Sequence, residues 1–284
     1  MTRSSIIVSL VFVSLSALCI GLPTISAQNS QEKENEYMKL IASADSAINQ
    51  ENYTIAINLF RDAMRLLPGN PNNILLLSNV GMLHYYLGND SIALETLNMA
   101  HDMAPSSVTV LMNRARVNNG TGRYSEALKD YTLVAEMDTT LAEPLIQKGL
   151  LQLRGGDVRG AEASLAKAAE IDDKSNEILV SYALLYSKTA RPKEAIPYLN
   201  KLIKKDPQSE YYVERAMCRI RIDDLAGASD DIGRGLELDP DNADLYLARA
   251  LLNKRWFREQ DSKADAAKAI ALGADPQLVH AYGL

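Results

Sequence analysis

Cysteine, histidine and the large aromatics are scarce: 284 residues hold 2 Cys, 3 His, 1 Trp and 3 Phe. Two cysteines cannot make the disulfide framework of a small secreted scaffold. His84, His101 and His280 have no second His or Cys at ligand spacing, so no metal site is expected. Basic runs are missing too. Lys and Arg number 30 against 36 Asp and Glu, a net charge of -6, and no stretch could neutralise a phosphate backbone, which argues against nucleic acid as a partner. Glycine and proline are modest at 15 and 10, so the marks of a Gly-rich all-β chain are absent and helix is the default. No P-loop, Gly-x-Ser-x-Gly elbow or dinucleotide fingerprint occurs, and Arg154-Gly155-Gly156-Asp157 reads as a tight turn. No catalytic residue, cofactor-binding residue or cofactor is therefore expected, and the chain is read as a non-enzyme. What is present is apolar surface: 47% of the residues are hydrophobic, too many for a disordered chain.

The N-terminus reads as an address. Residues 1–27 carry one charge, Arg3, an apolar stretch from Ile6 to Leu22, and a small residue at Ala27 suited to signal peptidase. The expectation is an export signal over residues 1–27, a flexible mature terminus over 28–36, and a periplasmic or secreted product with no integral membrane segment after cleavage. Retention as an uncleaved anchor is the competing reading, since about 20 apolar residues span a bilayer. Loss of Cys19 with the signal would leave Cys218 as a lone thiol, read as a small buried hydrophobe within a helix.

The remainder repeats. Small residues recur at Ala56, Ala93, Ala127, Ala161, Ala195, Ala228 and Ser262, at intervals of 37, 34, 34, 34, 33 and 34. Twelve residues before each stands another, at Ala44, Gly81, Ala115, Gly149, Ala183, Ala216 and Ala250. Bulky residues four positions after most members of the first series complete one helical face, so each period predicts two amphipathic helices packed as a hairpin. Gly88-Asn89-Asp90, Thr121-Gly122-Arg123 and Ala190-Arg191-Pro192 mark turns, while Leu67-Pro68, Ala104-Pro105, Asp206-Pro207 and Asp239-Pro240 mark repeat ends.

Gly122-Arg123-Tyr124-Ser125-Glu126-Ala127-Leu128-Lys129-Asp130-Tyr131 and Asn52-Tyr53-Thr54-Ile55-Ala56 resemble the second helix of the tetratricopeptide repeat, over roughly residues 37–276. The resemblance implies an all-α fold, an α-solenoid of about seven helix-turn-helix repeats over residues 37–275 wound as a right-handed superhelix, with a C-terminal cap at 276–284. It also implies a concave wall built by the first helix of each pair. At the places where carboxylate-clamping members present Lys, Asn and Arg, this chain has Ile41, Asp45, Thr109 and Asn113, so that clamp is not expected.

One pattern points to a binding furrow. In repeats four to seven the second position of the first helix is acidic, at Glu143, Glu177, Glu210 and Asp244, and eleven residues on it is basic, at Arg154, Lys188, Arg221 and Arg255. Between them lie Ile146 and Leu150, Val180 and Leu184, Val213 and Met217, and Leu247 and Leu251, at positions that resemble the family's groove lining. An apolar floor between acidic and basic lips would accept a peptide or protein segment and fix its direction. The same charges would equally serve the helix macrodipoles. The function expected is an exported scaffold for protein–protein interaction, an accessory of envelope assembly or secretion. Capture of a glycan or small ligand is the alternative. An enzyme built from Glu210 and Glu214 near Arg249 ranks third.

Overall fold

A computed structural model describes residues 25–284. Residues 1–24, which hold nearly all of the expected export signal, lie outside the described residues. Fifteen α-helices and their connections account for the described chain, with no strand among them. They fall into two compact units divided after Asp138.

The first unit holds three hairpins: α1 (Ile25–Asn49) with α2 (Tyr53–Leu66), α3 (Asn73–Tyr86) with α4 (Asp90–Met103), and α5 (Val108–Gly120) with α6 (Tyr124–Met137). The second holds four: α7 (Ala142–Arg154) with α8 (Val158–Ile171), α9 (Asn176–Lys188) with α10 (Pro192–Lys205), α11 (Ser209–Arg221) with α12 (Leu225–Leu238), and α13 (Ala243–Arg255) with α14 (Glu259–Ala271). A short helix, α15 (Pro276–Ala281), packs on α14. Within each unit a hairpin packs on the next, as in an α-solenoid. Residues 28–36, expected as a flexible terminus, are instead helical, as part of α1. No Gly or Pro interrupts this Gln- and Glu-rich stretch, which continues the helix of its buried residue Tyr37 outward into solvent.

Close approach of the two helices in each hairpin explains the small-residue series. Ala56, Ala93, Ala127, Ala161, Ala195 and Ala228 are fully buried. A Cβ added at Gly81 would lie 2.7 Å from Leu97 Cγ and 3.2 Å from the Ala93 carbonyl oxygen. At Gly149 it would meet Leu165 Cγ at 3.1 Å and the Ala161 oxygen at 3.3 Å. Polar side chains tie consecutive first helices within a unit: Tyr37 donates to Asn73 Oδ1 at 3.0 Å, Asn113 to Ser78 Oγ at 3.0 Å, and Gln147 to Glu177 Oε1 at 3.1 Å.

Most hairpin turns follow one design. The first helix closes with a backbone bond from the residue five positions after the acceptor, as in Asn89 to His84 at 2.9 Å, Arg123 to Asn118 at 2.8 Å and Arg258 to Asn253 at 2.9 Å. The residue before the donor takes a left-handed conformation. Gly88, Gly122 and Gly156 do so without strain, but the same place is filled by Glu51 (φ 58°), Asp223 (φ 67°) and Phe257 (φ 60°). Phe257 is also 95% exposed. Its replacement by glycine should therefore stabilise the protein by about 1 kcal/mol, because the left-handed penalty of about 1–2 kcal/mol is relieved. A rise in the urea midpoint at unchanged slope would register this; no rise would mean the turn holds no strain.

The turn between α9 and α10 breaks the pattern. Pro192 opens α10, the α9 C-cap Thr189 is extended (φ -102°, ψ -179°), and Ala190 is not left-handed. The end of α9 thus loses the bond that closes the other first helices. Thr189 Oγ1 donates to the Tyr186 carbonyl at 3.3 Å in its place, and Arg221, at the end of α11 one repeat later, caps two neighbouring carbonyls, donating from Nη1 to Ser187 and from Nη2 to Thr189 at 2.9 Å.

Candidate functional site

The residues at positions two, five, nine and thirteen of each first helix share one helix face, because steps of three and four advance by about one turn. In the second unit this face is carried by α7, α9, α11 and α13. Along it Val180 is 39% exposed, while Leu150, Leu184, Val213, Met217 and Leu251 are half-buried. These six form an apolar stripe open to solvent. Ile146 and Leu247 do not belong to it: they are 1% and 4% exposed. Leu247 joins Ala250, Ala266, Ala269 and Val279 in one buried cluster, so this expected floor residue is core.

The acidic edge is present as expected in position. Glu177, Glu210 and Asp244 are exposed and Glu143 is half-buried, and Glu177 also accepts the bond from Gln147 of the preceding first helix. On the basic edge Arg154 and Lys188 are exposed. Arg221 and Arg255 differ from the expectation of a partner-facing lip, since both bind the preceding repeat. Arg221 caps α9, and Arg255 Nη2 lies 2.5 Å from Asp223 Oδ1 in the left-handed turn before α12. That interaction is solvent-exposed on both sides and contributes little.

Three Arg–Asp pairs lie off this face, and their pairing was not foreseen from the sequence. Arg114 grips Asp130 at 2.7 and 2.8 Å, Arg215 grips Asp231 at 2.5 to 3.2 Å, and Arg249 grips Asp265 at 2.6 and 2.9 Å. Each joins the two helices of one hairpin, with the Asp sixteen residues after the Arg. Asp231 additionally receives Arg219 at 2.9 Å, and its side chain is 1% exposed. The corresponding pair in the repeat of α9 and α10 is Tyr182 and Tyr198, stacked with ring centroids 4.8 Å apart. Burial, with neighbouring Tyr198 second, pushes the Tyr182 phenol up to about 12. The recurring i, i+16 spacing was the available signal, but it pairs side chains across a hairpin and leaves no trace in single-helix periodicity.

Titratable singletons have quiet surroundings. Cys218 is buried at 1% exposure, and desolvation, reinforced by the charge of Glu214, pushes its thiol up to about 11, the opposite of an activated nucleophile. His84 is buried with Nε2 3.3 Å from Arg61 Nη2; burial first, and the Arg61 charge second, hold its pKa below the ordinary imidazole value. Arg249, which the third reading placed beside Glu210 and Glu214, is committed to Asp265. Among the described residues no group of three or more His, Cys, Asp or Glu is placed to hold a metal ion, and no helix is long and apolar enough to cross a membrane.

Comparison with known proteins gives the class. Residues 152–215 match the family model of the tetratricopeptide repeat. A tetratricopeptide-repeat protein from Parabacteroides merdae is 25% identical and superimposes with a TM-score of 0.69 over 87% of this chain and 97% of its own. In fold and in its repeating helix hairpins the chain is similar to tetratricopeptide-repeat proteins. The fold is shared with YrrB, described as a TPR protein with an unusual peptide-binding site, at 20% identity and a TM-score of 0.53 over 67% of this chain and all of that one. Human sperm-associated antigen 1 is 22% identical over 90% of this chain, which spans 31% of that protein and under a third of each curated relative it matches.

Proposed function

We propose that this protein is an exported, non-enzymatic scaffold that holds a peptide segment of another protein along the first-helix face of its second unit. The observation that carries the reading is the open apolar stripe of Val180, Leu184, Val213 and Met217 on α9 and α11, bordered by exposed Glu177, Glu210 and Lys188. Side chains such as these lose water favourably when covered, at about 25 cal/mol per Å² of apolar area, and the unlike charges on the two edges give a bound segment a direction. The repeat architecture supports it, because tetratricopeptide-repeat proteins bind proteins or peptides in a groove. The apolar leader of residues 6–22 supports an extracytoplasmic location, periplasmic or secreted, and an accessory role in envelope assembly or secretion.

A photo-crosslinking side chain at Val180 should give a discrete protein adduct in intact cells, whereas one at Lys204, on the second helix α10, should not. Leu184→Glu and Lys188→Glu should each lower the Val180 adduct about tenfold, roughly 1.4 kcal/mol, with the far-ultraviolet circular dichroism unchanged. Arg221 is left intact in this test because it caps α9. Equal adduct yields at both positions, or retention on a glycan array without any protein adduct, would overturn the reading.

A further inference from the structure

The three Arg–Asp pairs are not equivalent, and the difference opens a cavity. Arg114 and Arg215 each use the remaining nitrogen, Nη1, to reach an asparagine on the preceding second helix: Asn98 at 3.4 Å and Asn200 at 2.6 Å. Both asparagines stand five residues after the small residue of their helix, Ala93 and Ala195. The same place in α12, five after Ala228, is Gly233. A Cβ built there would meet nothing within 4 Å, and among the described residues Arg249 Nη1 has no acceptor, its Nε and Nη2 being held by Asp265. The space left is a cavity of about 460 Å³ between α12 and the α13–α14 hairpin, within the size range of small-ligand sites.

Its walls are of two kinds. Ile232, Leu236 and Leu252 make an apolar side. Trp256 and Arg258 also line the cavity, the guanidinium carbon lying 4.7 Å above the indole centroid, together with Arg249, Asp261 and Ser229. Asp265 is spent on Arg249 and on Asn253, whose Nδ2 donates to it at 2.9 Å. Arg249 and Asp265 thus cancel, and Arg258 and Asp261 carry one charge of each sign. The two guanidinium groups supply donors for a carboxylate, while Asp261 in the lining opposes any further negative charge such as a phosphate brings. On α13, Arg249 and Asn253 lie two residues before and two after Leu251, which puts them on the side of the helix away from the apolar stripe.

We infer that this cavity is a second binding site, one that takes a carboxylate attached to a compact apolar body, with the carboxylate on Arg249 Nη1 and Arg258 and the apolar part against Leu236 and Trp256. The carboxylate could belong to a small organic acid or to a chain terminus, which share this chemistry.

Trp256 is the only tryptophan in the chain, so its fluorescence reports on the site directly. Titration of the full chain with N-acetyl-leucine should change that emission saturably, and calorimetry should give the same constant. N-acetyl-leucinamide and inorganic phosphate should bind at least about tenfold more weakly, and so should N-acetyl-leucine to Gly233→Asn, which restores the asparagine of the other repeats. That variant should keep its melting temperature, since the added side chain enters open space. Leu184→Glu, on the stripe, should bind N-acetyl-leucine like the parent, which separates this site from the one proposed above. A free-terminus Ala-Ala-Ala-Leu peptide that binds more tightly than N-acetyl-leucine would identify a chain terminus; equal or weaker binding would identify a small acid. Undiminished binding of the amide, of phosphate, or of N-acetyl-leucine to Gly233→Asn would overturn the inference, as would the absence of any response by both methods.

Discussion

Asp231→Ala should destabilise the second unit by about 3 to 5 kcal/mol, the cost of leaving buried charge without its partner. Asp231 is 1% exposed and serves two guanidinium groups, those of Arg215 and Arg219, whose side chains are 12% and 20% exposed. Removing the carboxylate leaves both cations in a place that water reaches poorly, and neither has another carboxylate of comparable burial. The urea midpoint should fall accordingly, and amide exchange in α11 and α12 should accelerate. Pairing the substitution with Arg215→Met should recover part of the loss, because an apolar chain of similar reach needs no counter-charge. Asp265→Ala should cost less, since Arg249 is 39% exposed and can turn to solvent. Equal costs for the two aspartates would show that burial is not what sets the value of these pairs.

Phe60→Ala should cost the first unit about 3 to 5 kcal/mol, as expected for deleting a fully buried aromatic ring. Phe60 of α2 is 0% exposed and shares one buried cluster with Tyr37 of α1 and with Leu76, Val80 and Leu83 of α3. No single hairpin owns that cluster. Hydrogen exchange should therefore speed up together in α1, α2 and α3, whereas acceleration confined to α2 would mean that the hairpins open separately.

The hairpins were legible in the sequence because steric demand repeats. Where two helix backbones approach, even a Cβ is crowded, at 2.7 Å from Leu97 at Gly81 and 3.1 Å from Leu165 at Gly149, and this leaves a small residue every 33 to 37 positions. The binding face was legible only in part. Its stripe follows from helical spacing, but Ile146 and Leu247 are buried at the same helix position that leaves Val180 and Val213 partly open, a packing outcome that no local pattern encodes. Arg221 looked like a free edge residue because its position matches Lys188 and Arg255. Its role depends on an irregular turn one repeat away, where Pro192 and the extended Thr189 displace the usual closing bond. The helical start of α1 was not legible for a simpler reason: polarity signals exposure, and an exposed segment can still be helical.

The reach of Arg221 back to Ser187 and Thr189 sets a rule for anyone who would cut and rejoin this chain. Most tandem modules can be excised or duplicated at their linkers, but here the first helix of the α9–α10 module is held at its tip by a fastening that belongs to the next module. The two should transplant into another array only as an inseparable doublet, and a graft that keeps the earlier member alone would carry a first helix that unravels at its tip.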